Sequence, residues 1–166
     1  MAILLAIPVL GFATMIQTAI LSRITLLSGS ADLVLVILTV WALQEKVKTA
    51  WHWAVAGGLL VGWISGLPMF IPLAGYLLVV VAARLLQRRV WQAPLLAAFI
   101  VVVVGTLISH GLVMAYLVIT GTQIQFENAI SLVTLPSLLL NMLLVIPTNY
   151  LVRDLARLVY RTEIKE

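Results

Sequence analysis

Residues 94–119 read PLLAAFIVVVVGTLISHGLVMAYLVI and contain no lysine, arginine, aspartate or glutamate. A helix needs about 20 apolar residues to cross the hydrocarbon core of a bilayer, which is about 30 Å thick. This stretch is long enough to cross it. The sequence therefore predicts a transmembrane helix here, and the rest of the chain has a similar composition.

The whole chain has 166 residues, of which 63% are hydrophobic and only 10% are charged. A soluble domain of this size carries about 25% charged residues, so there is too little charge to cover a water-exposed surface. Lipid is the solvent that accepts such an apolar exterior. We therefore expect one all-α domain, a polytopic transmembrane helical bundle.

Six apolar segments lie between the charged residues and are candidate spans. They cover residues 2–21, 33–43, 51–66, 69–83, 94–119 and 132–152. The first lacks a basic leader and is predicted to be a retained helix. The second has about half the length of a crossing. We favour six spans, but a re-entrant second segment would leave five.

The basic residues indicate the orientation of the bundle. In the six-span arrangement Arg23 alone lies on one side, and the other nine follow even-numbered spans: Lys46, Lys48, Arg84, Arg88, Arg89, Arg153, Arg157, Arg161 and Lys165. Cytoplasmic loops carry the excess of lysine and arginine. Residues 153–166 are thus a basic cytoplasmic tail in either arrangement, and the N-terminus is cytoplasmic with six spans. The arginines are predicted anchors at the membrane surface, so nucleic-acid binding is not needed to explain the net charge of +4.

Small residues recur every four positions along the third span: Ala50, Ala54, Gly58, Gly62 and Gly66. Such a row lets another helix backbone approach closely, which is a main source of helix association in lipid. The row predicts packing against a helix of the same chain. It is also the best candidate for the face that contacts a partner subunit.

Gln17, His110 and Asn141 are polar residues within predicted spans. Each should face another helix or a cavity, because polar groups are costly in lipid. We expect interhelical hydrogen bonds from His110 and Asn141. A role of His110 in proton relay or ligand contact is the alternative.

No pattern in the chain indicates catalysis. Cysteine is absent, and His52 and His110 are the only histidines, so no metalloprotease signature is present. Ser65 lies between glycines near a membrane face, but no oxyanion donor can be named for it. We expect no enzyme activity, no metal and no cofactor.

Three short stretches resemble the bacterial rod-shape-determining MreD family, which consists of small proteins with five or six spans. The stretches are Ala31-Asp32-Leu33-Val34-Leu35 at the second span, Gly58-Leu59-Leu60-Val61-Gly62 followed by Gly75-Tyr76, and Leu135-Pro136-Ser137-Leu138-Leu139-Leu140-Asn141 in the last span. Two positions differ. The family tends to have proline in place of Ala31, and many members carry an aspartate where Ser65-Gly66 stands here.

The resemblance implies a function in the cytoplasmic (inner) membrane of a bacterium. Such a protein is a non-catalytic scaffold of the cell-elongation machinery. It binds the single-span protein MreC and helps to link MreB filaments to the peptidoglycan synthase RodA and its class B penicillin-binding partner. The family is similar in fold to the substrate-binding components of energy-coupling-factor transporters. A small-ligand-binding transporter subunit is therefore one alternative, and an accessory subunit of a larger membrane complex is another.

Overall fold

The computed structural model describes residues 3–87 and 93–160, and every regular element in these ranges is helical. The prediction of an all-α protein is confirmed. The helices are α1 (Ala6–Ala19), α2 (Leu33–Leu43), α3 (Ala50–Ile64), α4 (Phe70–Gln87), α5 (Pro94–Ile119) and α6 (Phe126–Val159).

Four helical segments are long and apolar enough to cross a membrane: α1 with its following turn, α4, α5 and α6. Helices α2 and α3 are also apolar but shorter, with 11 and 15 residues. The chain is thus a multi-pass membrane protein by the length and composition of its helices.

The predicted spans agree with α2 and α5 residue by residue and differ most at α6. That helix was expected over 132–152, but it begins at Phe126 and ends at Val159. The N–H of Ala129 donates to the carbonyl of Gln125 at 2.9 Å. The turn pairs its own backbone groups, so the helix extends beyond the purely apolar stretch. Its last part includes Arg153 and Arg157, so these two residues are helical.

Contacts between helix ends show how neighbouring helices are oriented. The Nε2 of Gln87 donates to the carbonyl of Leu43 at 3.2 Å, so the C-terminal ends of α2 and α4 meet. The hydroxyls of Thr49 and Tyr160 lie 3.1 Å apart, which joins the start of α3 to the end of α6. We call this the basic end, since Lys46, Lys48, Arg84, Arg153 and Arg157 lie near it.

The start of α1 lies at the basic end as well. Ile3 and Ile7 line one groove with Trp51 and His52 at the start of α3. At the other end of α1, the side-chain carbonyl of Gln17 accepts from the N–H at the start of α2. Helices α1, α2, α3 and α4 therefore alternate in direction.

Helix α2 lies at the centre of the bundle and contacts all five other helices. Ten of its residues are buried, from Val34 to Leu43. Its sequence is apolar on every face, as is typical of a helix that is surrounded by protein. At 1.5 Å per residue α2 is only about 16 Å long.

Aromatic rings close the bundle at the basic end. The rings of Trp41 and Trp53 are stacked with centroids 4.2 Å apart, and the ring of Tyr160 lies 6.2 Å from that of Trp41. Both tryptophans are fully buried. This cluster joins α2, α3 and the residue that directly follows α6.

Candidate functional site

A break in the regular hydrogen bonding of α6 marks one side of the candidate site. Residues Ala129–Thr134 form a π-helical turn, and Pro136 follows it closely. Proline has no N–H, so the carbonyl of Leu132 lacks its usual α-helical donor. The N–H of Ser28 donates to that carbonyl at 3.0 Å. A segment from the other end of the chain thus fills the gap in the helix.

This segment, residues 28–32, leaves a tight turn at Leu27 and Ser28 and then runs along α6, and we call it the extended segment. The N–H of Ser30 donates to the hydroxyl of Ser137 at 3.0 Å, and that of Asp32 donates to the side-chain carbonyl of Asn141 at 2.6 Å. From Ser28 to Asp32 the partners advance from residue 132 to residue 141, which is about 13.5 Å along a helix. Four residues cover this distance only when they are extended, at about 3.4 Å each.

Gly29 allows the close approach of the two segments. A Cβ at this position would lie 2.6 Å from the N of Ser137 and 2.7 Å from the carbonyl oxygen of Val133. Both atoms belong to the backbone and cannot rotate away. The extended segment can therefore lie in this place only with glycine at position 29.

Asp32 supplies the carboxylate at the centre of the site. Its Oδ1 accepts from the N–H of Leu35 at 2.9 Å and so caps the N-terminus of α2. The hydroxyl of Tyr76 on α4 donates to Oδ2 at 2.9 Å and approaches Oδ1 at 3.1 Å. Tyr76 is buried, whereas Asp32 is half-buried. The carboxylate thus ties α2 to α4 and retains some exposure.

Asn141 connects the extended segment to α5. Its Oδ1 accepts from the N–H of Asp32, and its Nδ2 donates to the hydroxyl of Thr106 at 3.0 Å. That hydroxyl donates to the carbonyl of Val102 at 2.8 Å. Asn141 and Thr106 are both almost fully buried. One amide side chain therefore joins the extended segment, α5 and α6.

Two other polar residues make interhelical contacts nearby. The Nδ1 of His110 on α5 lies 3.1 Å from the hydroxyl of Thr134 on α6. The side-chain carbonyl of Gln17 on α1 accepts from the N–H of Val34 at 3.2 Å. His110, Asn141 and Gln17 each contact a different element, and only Asn141 bonds to Asp32.

The row of small residues on α3 lies mainly against α4. A Cβ at Gly58 would lie 2.6 Å from the Cα of Leu73, and one at Gly62 would lie 3.0 Å from the Cα of Met69. Ala54 is fully buried as well. The row therefore packs against a helix of the same chain, and a contact of this row with a partner subunit stays a prediction.

Gly66 lies outside this contact. It is exposed, and a Cβ there would meet no heavy atom within 4 Å. It follows the end of α3, where the chain turns toward α4. Gly66 therefore shares the four-residue spacing of the row, but close packing of α3 on α4 does not require glycine at this position.

The predicted surface arginines differ in their surroundings. Arg84 donates to the carbonyl of Val47 and, at 2.9 Å, to the side-chain carbonyl of Gln87, so it also ties α4 to the chain after α2. Arg153 and Arg157 are exposed, and Arg157 lies 3.6 Å from Asp154. The other three predicted anchors, Arg88, Arg89 and Arg161, lie outside the described residues.

The chemistry available at the site is that of one carboxylate, one phenol and several neutral donors and acceptors. Over residues 3–87 and 93–160 no three histidine, aspartate or glutamate side chains come together to hold a metal ion. The described partners of Asp32 are neutral groups. The arrangement can join helices and can offer a carboxylate to a hydrogen-bond donor.

Sequence reasoning identified Asn141 and His110 but assigned no role to Asp32, Tyr76 or Ser137. The signal for Asp32 was present, since it is the only acidic residue between positions 1 and 44 and it directly precedes an apolar run. An ionisable residue beside a short span indicates a buried role. Tyr76 carried no comparable signal.

Comparison of the chain with family models, with curated proteins and with solved structures gives no match.

Proposed function

We propose that this chain is a non-catalytic membrane scaffold of the bacterial cell-elongation machinery, as its resemblance to the MreD family implies. The observation that supports a scaffold is the use of the interior polar groups. Asp32, Tyr76, Asn141 and Thr106 are hydrogen-bonded to one another or to the backbone across four helices. Such bonds fix the positions of helices, and these four side chains are used within the protein.

A ligand-binding subunit would need the opposite arrangement. Small-molecule sites are concave and present a few convergent polar groups that are free to contact the ligand. Here the amide of Asn141 is used on both its oxygen and its nitrogen. Because both polar ends of this amide are bonded within the protein, its role in the proposal is structural.

The proposal includes six crossings with both termini in the cytoplasm. Helix α2 is about 16 Å long, and the extended segment before it adds about 13.5 Å. Together they cover approximately the 30 Å of a hydrocarbon core. Non-helical backbone is tolerated at this depth where its polar groups are paired within the protein. The N–H groups of Ser28, Ser30 and Asp32 are paired with α6. The lysines and arginines near the basic end favour a cytoplasmic location for that end.

A labelling experiment tests this topology. The chain has no native cysteine, so the introduced thiol is the only one that a maleimide can label in the protein. Ala2→Cys and Thr122→Cys are made separately and treated in intact cells with a membrane-impermeant maleimide. We expect Thr122→Cys to react and Ala2→Cys to react only after the membrane is opened. External labelling of Ala2→Cys would contradict six crossings.

The proposed partners are an MreC-like single-span protein, RodA and a class B penicillin-binding protein. The tagged full chain, expressed at its native level, is solubilised in a mild detergent, and co-purifying proteins are identified by mass spectrometry. We expect enrichment of a single-span protein with a periplasmic domain and of a cell-wall synthase, relative to a tagged unrelated multi-pass protein. Complexes without either subunit would count against the scaffold.

The half-buried carboxylate of Asp32 favours one second candidate, a small-ligand-binding subunit of a transporter. A ligand with a hydrogen-bond donor could reach a carboxylate that retains some exposure. Mass spectrometry of the purified, denatured protein distinguishes the two. A stoichiometric vitamin-sized molecule would support the transporter subunit and its absence would support the scaffold.

A further inference from the structure

An open groove lies between α1 and α3 on the outside of the bundle. Its volume is about 590 Å³, and its walls are almost entirely apolar. Ile7 lies on the α1 side, and Trp51, Val55 and Leu59 lie on the α3 side, each at least 40% exposed. The polar residue in the lining is His52.

The length of the groove restricts what can occupy it. On α3 its lining extends from Trp51 to Leu60, which is about 13.5 Å of helix. That is about half of the hydrocarbon thickness, or one leaflet. A transmembrane helix of a partner would pack along the full thickness, whereas the acyl chain of a lipid ends at the middle of the bilayer.

The charges at the mouth of the groove restrict the headgroup. Trp51 and His52 lie at the basic end, and the chain that leads into α3 carries Lys46 and Lys48, both exposed. Glu45 is the acidic residue of the same connection, so the lysines are in excess. Basic side chains beside the membrane attract anionic lipid headgroups. Tryptophan is common at the level of the headgroups.

We propose that this groove is a binding site for one anionic phospholipid from the leaflet at the basic end. Its acyl chain lies between α1 and α3, and its phosphate lies beside Lys46 and Lys48. The site is separate from the Asp32 cluster and does not depend on the scaffold function. Lipid that surrounds the helices acts as their solvent, whereas this groove binds one lipid molecule at a defined place.

Native mass spectrometry of the purified full chain measures this binding. The protein is delipidated in detergent and titrated with phosphatidylglycerol or with phosphatidylcholine of identical acyl chains. We expect one phosphatidylglycerol to be retained on the order of tenfold more tightly than phosphatidylcholine, from the attraction of the two lysines. Equal retention of the two lipids would overturn the proposal.

Two pairs of variants locate the site. Ala56→Phe fills the groove, and Ala115→Phe adds the same ring to an exposed position on α5. We expect Ala56→Phe alone to abolish the first binding event. Equal effects of both would show that the lipid binds elsewhere, and a co-purified polypeptide lost only from Ala56→Phe would show that a protein occupies the groove.

The second pair removes two charges each. The double change Lys46→Ser and Lys48→Ser should bring phosphatidylglycerol to the level of phosphatidylcholine, while Arg153→Ser with Arg157→Ser should keep the preference. All four positions are exposed, so these variants are expected to fold. A preference that survives loss of the lysines, or disappears with the arginines, would refute the assignment.

Discussion

Replacing Gly29 with alanine tests whether close packing of the extended segment on α6 holds α2 in place. The added Cβ would lie 2.6 Å from the N of Ser137, 2.7 Å from the carbonyl oxygen of Val133 and 2.8 Å from the Cβ of Pro136. Gly29 does not have a positive φ, so the backbone conformation itself suits alanine. The substitution therefore introduces a steric conflict and no conformational strain.

The expected cost follows from two contributions. Overpacking in a dense interior costs about 1–3 kcal/mol. If the segment lifts away, it also weakens the bonds from Ser28, Ser30 and Asp32, and hydrogen bonds between membrane helices contribute about 0.6 kcal/mol each. We expect the free energy of unfolding to fall by about 1–3 kcal/mol from the overpacking alone and by up to about 5 kcal/mol if all three bonds are lost as well.

Equilibrium unfolding in mixed micelles with increasing dodecyl sulfate measures this change. Hydrogen exchange of the peptide that covers residues 28–35 shows whether the segment has loosened. Gly111→Ala on α5 is the matched control, because a Cβ there meets no heavy atom within 4 Å and alanine favours a helix over glycine by about 1 kcal/mol. If Gly29→Ala is as stable as Gly111→Ala and exchanges no faster than the wild-type chain, the reasoning is refuted.

Three further changes test the polar cluster and the contact between α3 and α4 by the same unfolding measurement. Asn141→Ala removes the amide that bonds to the N–H of Asp32 and to the hydroxyl of Thr106, and it should lower the free energy of unfolding by about 1–3 kcal/mol. A decrease below about 0.5 kcal/mol would contradict the role of Asn141 in joining the extended segment to α5. Tyr76→Phe removes only the hydroxyl bonded to Asp32 and should cost about 0.6–1.7 kcal/mol, and unchanged stability would mean that this bond adds nothing. Gly58→Leu should lower the free energy of unfolding by about 3 kcal/mol, because a Cβ at this position would lie 2.6 Å from the Cα of Leu73. Gly66→Leu is the control and should leave stability unchanged, because a Cβ there meets no heavy atom within 4 Å. Equal effects of the two changes would contradict the packing of α3 on α4.

The sequence allowed accurate prediction where a boundary coincides with a change of polarity. Helix α2 begins after Asp32 and ends before Gln44, and α5 begins at Pro94, so their limits could be predicted from the residues alone. The limits of α6 could not. Glu127 and Asn128 are polar and predict a loop, yet the backbone there remains helical because helix at the interface pairs its own N–H groups.

The contacts at the site could be predicted only in part. The polarity of Asn141 predicts an interhelical hydrogen bond, but its partners lie 109 and 35 residues away in the chain. Tyr76 looks like any aromatic residue in an apolar helix, and its bond to Asp32 depends on how α4 packs beside α2. Similarly, the spacing of Gly58 and Gly62 predicts a close helix contact but not which helix makes it.

The bonds between the extended segment and α6 have a consequence for how the chain is made. A ribosome synthesises residues 28–32 about a hundred residues before the partners of their N–H groups, and until then these groups face either lipid or water. Eleven apolar residues do not hold a nascent segment stably across the bilayer. We therefore expect α2 to remain at the membrane surface, or within the insertion machinery, until α6 has emerged, so that the innermost helix of the finished protein is the last to reach its place.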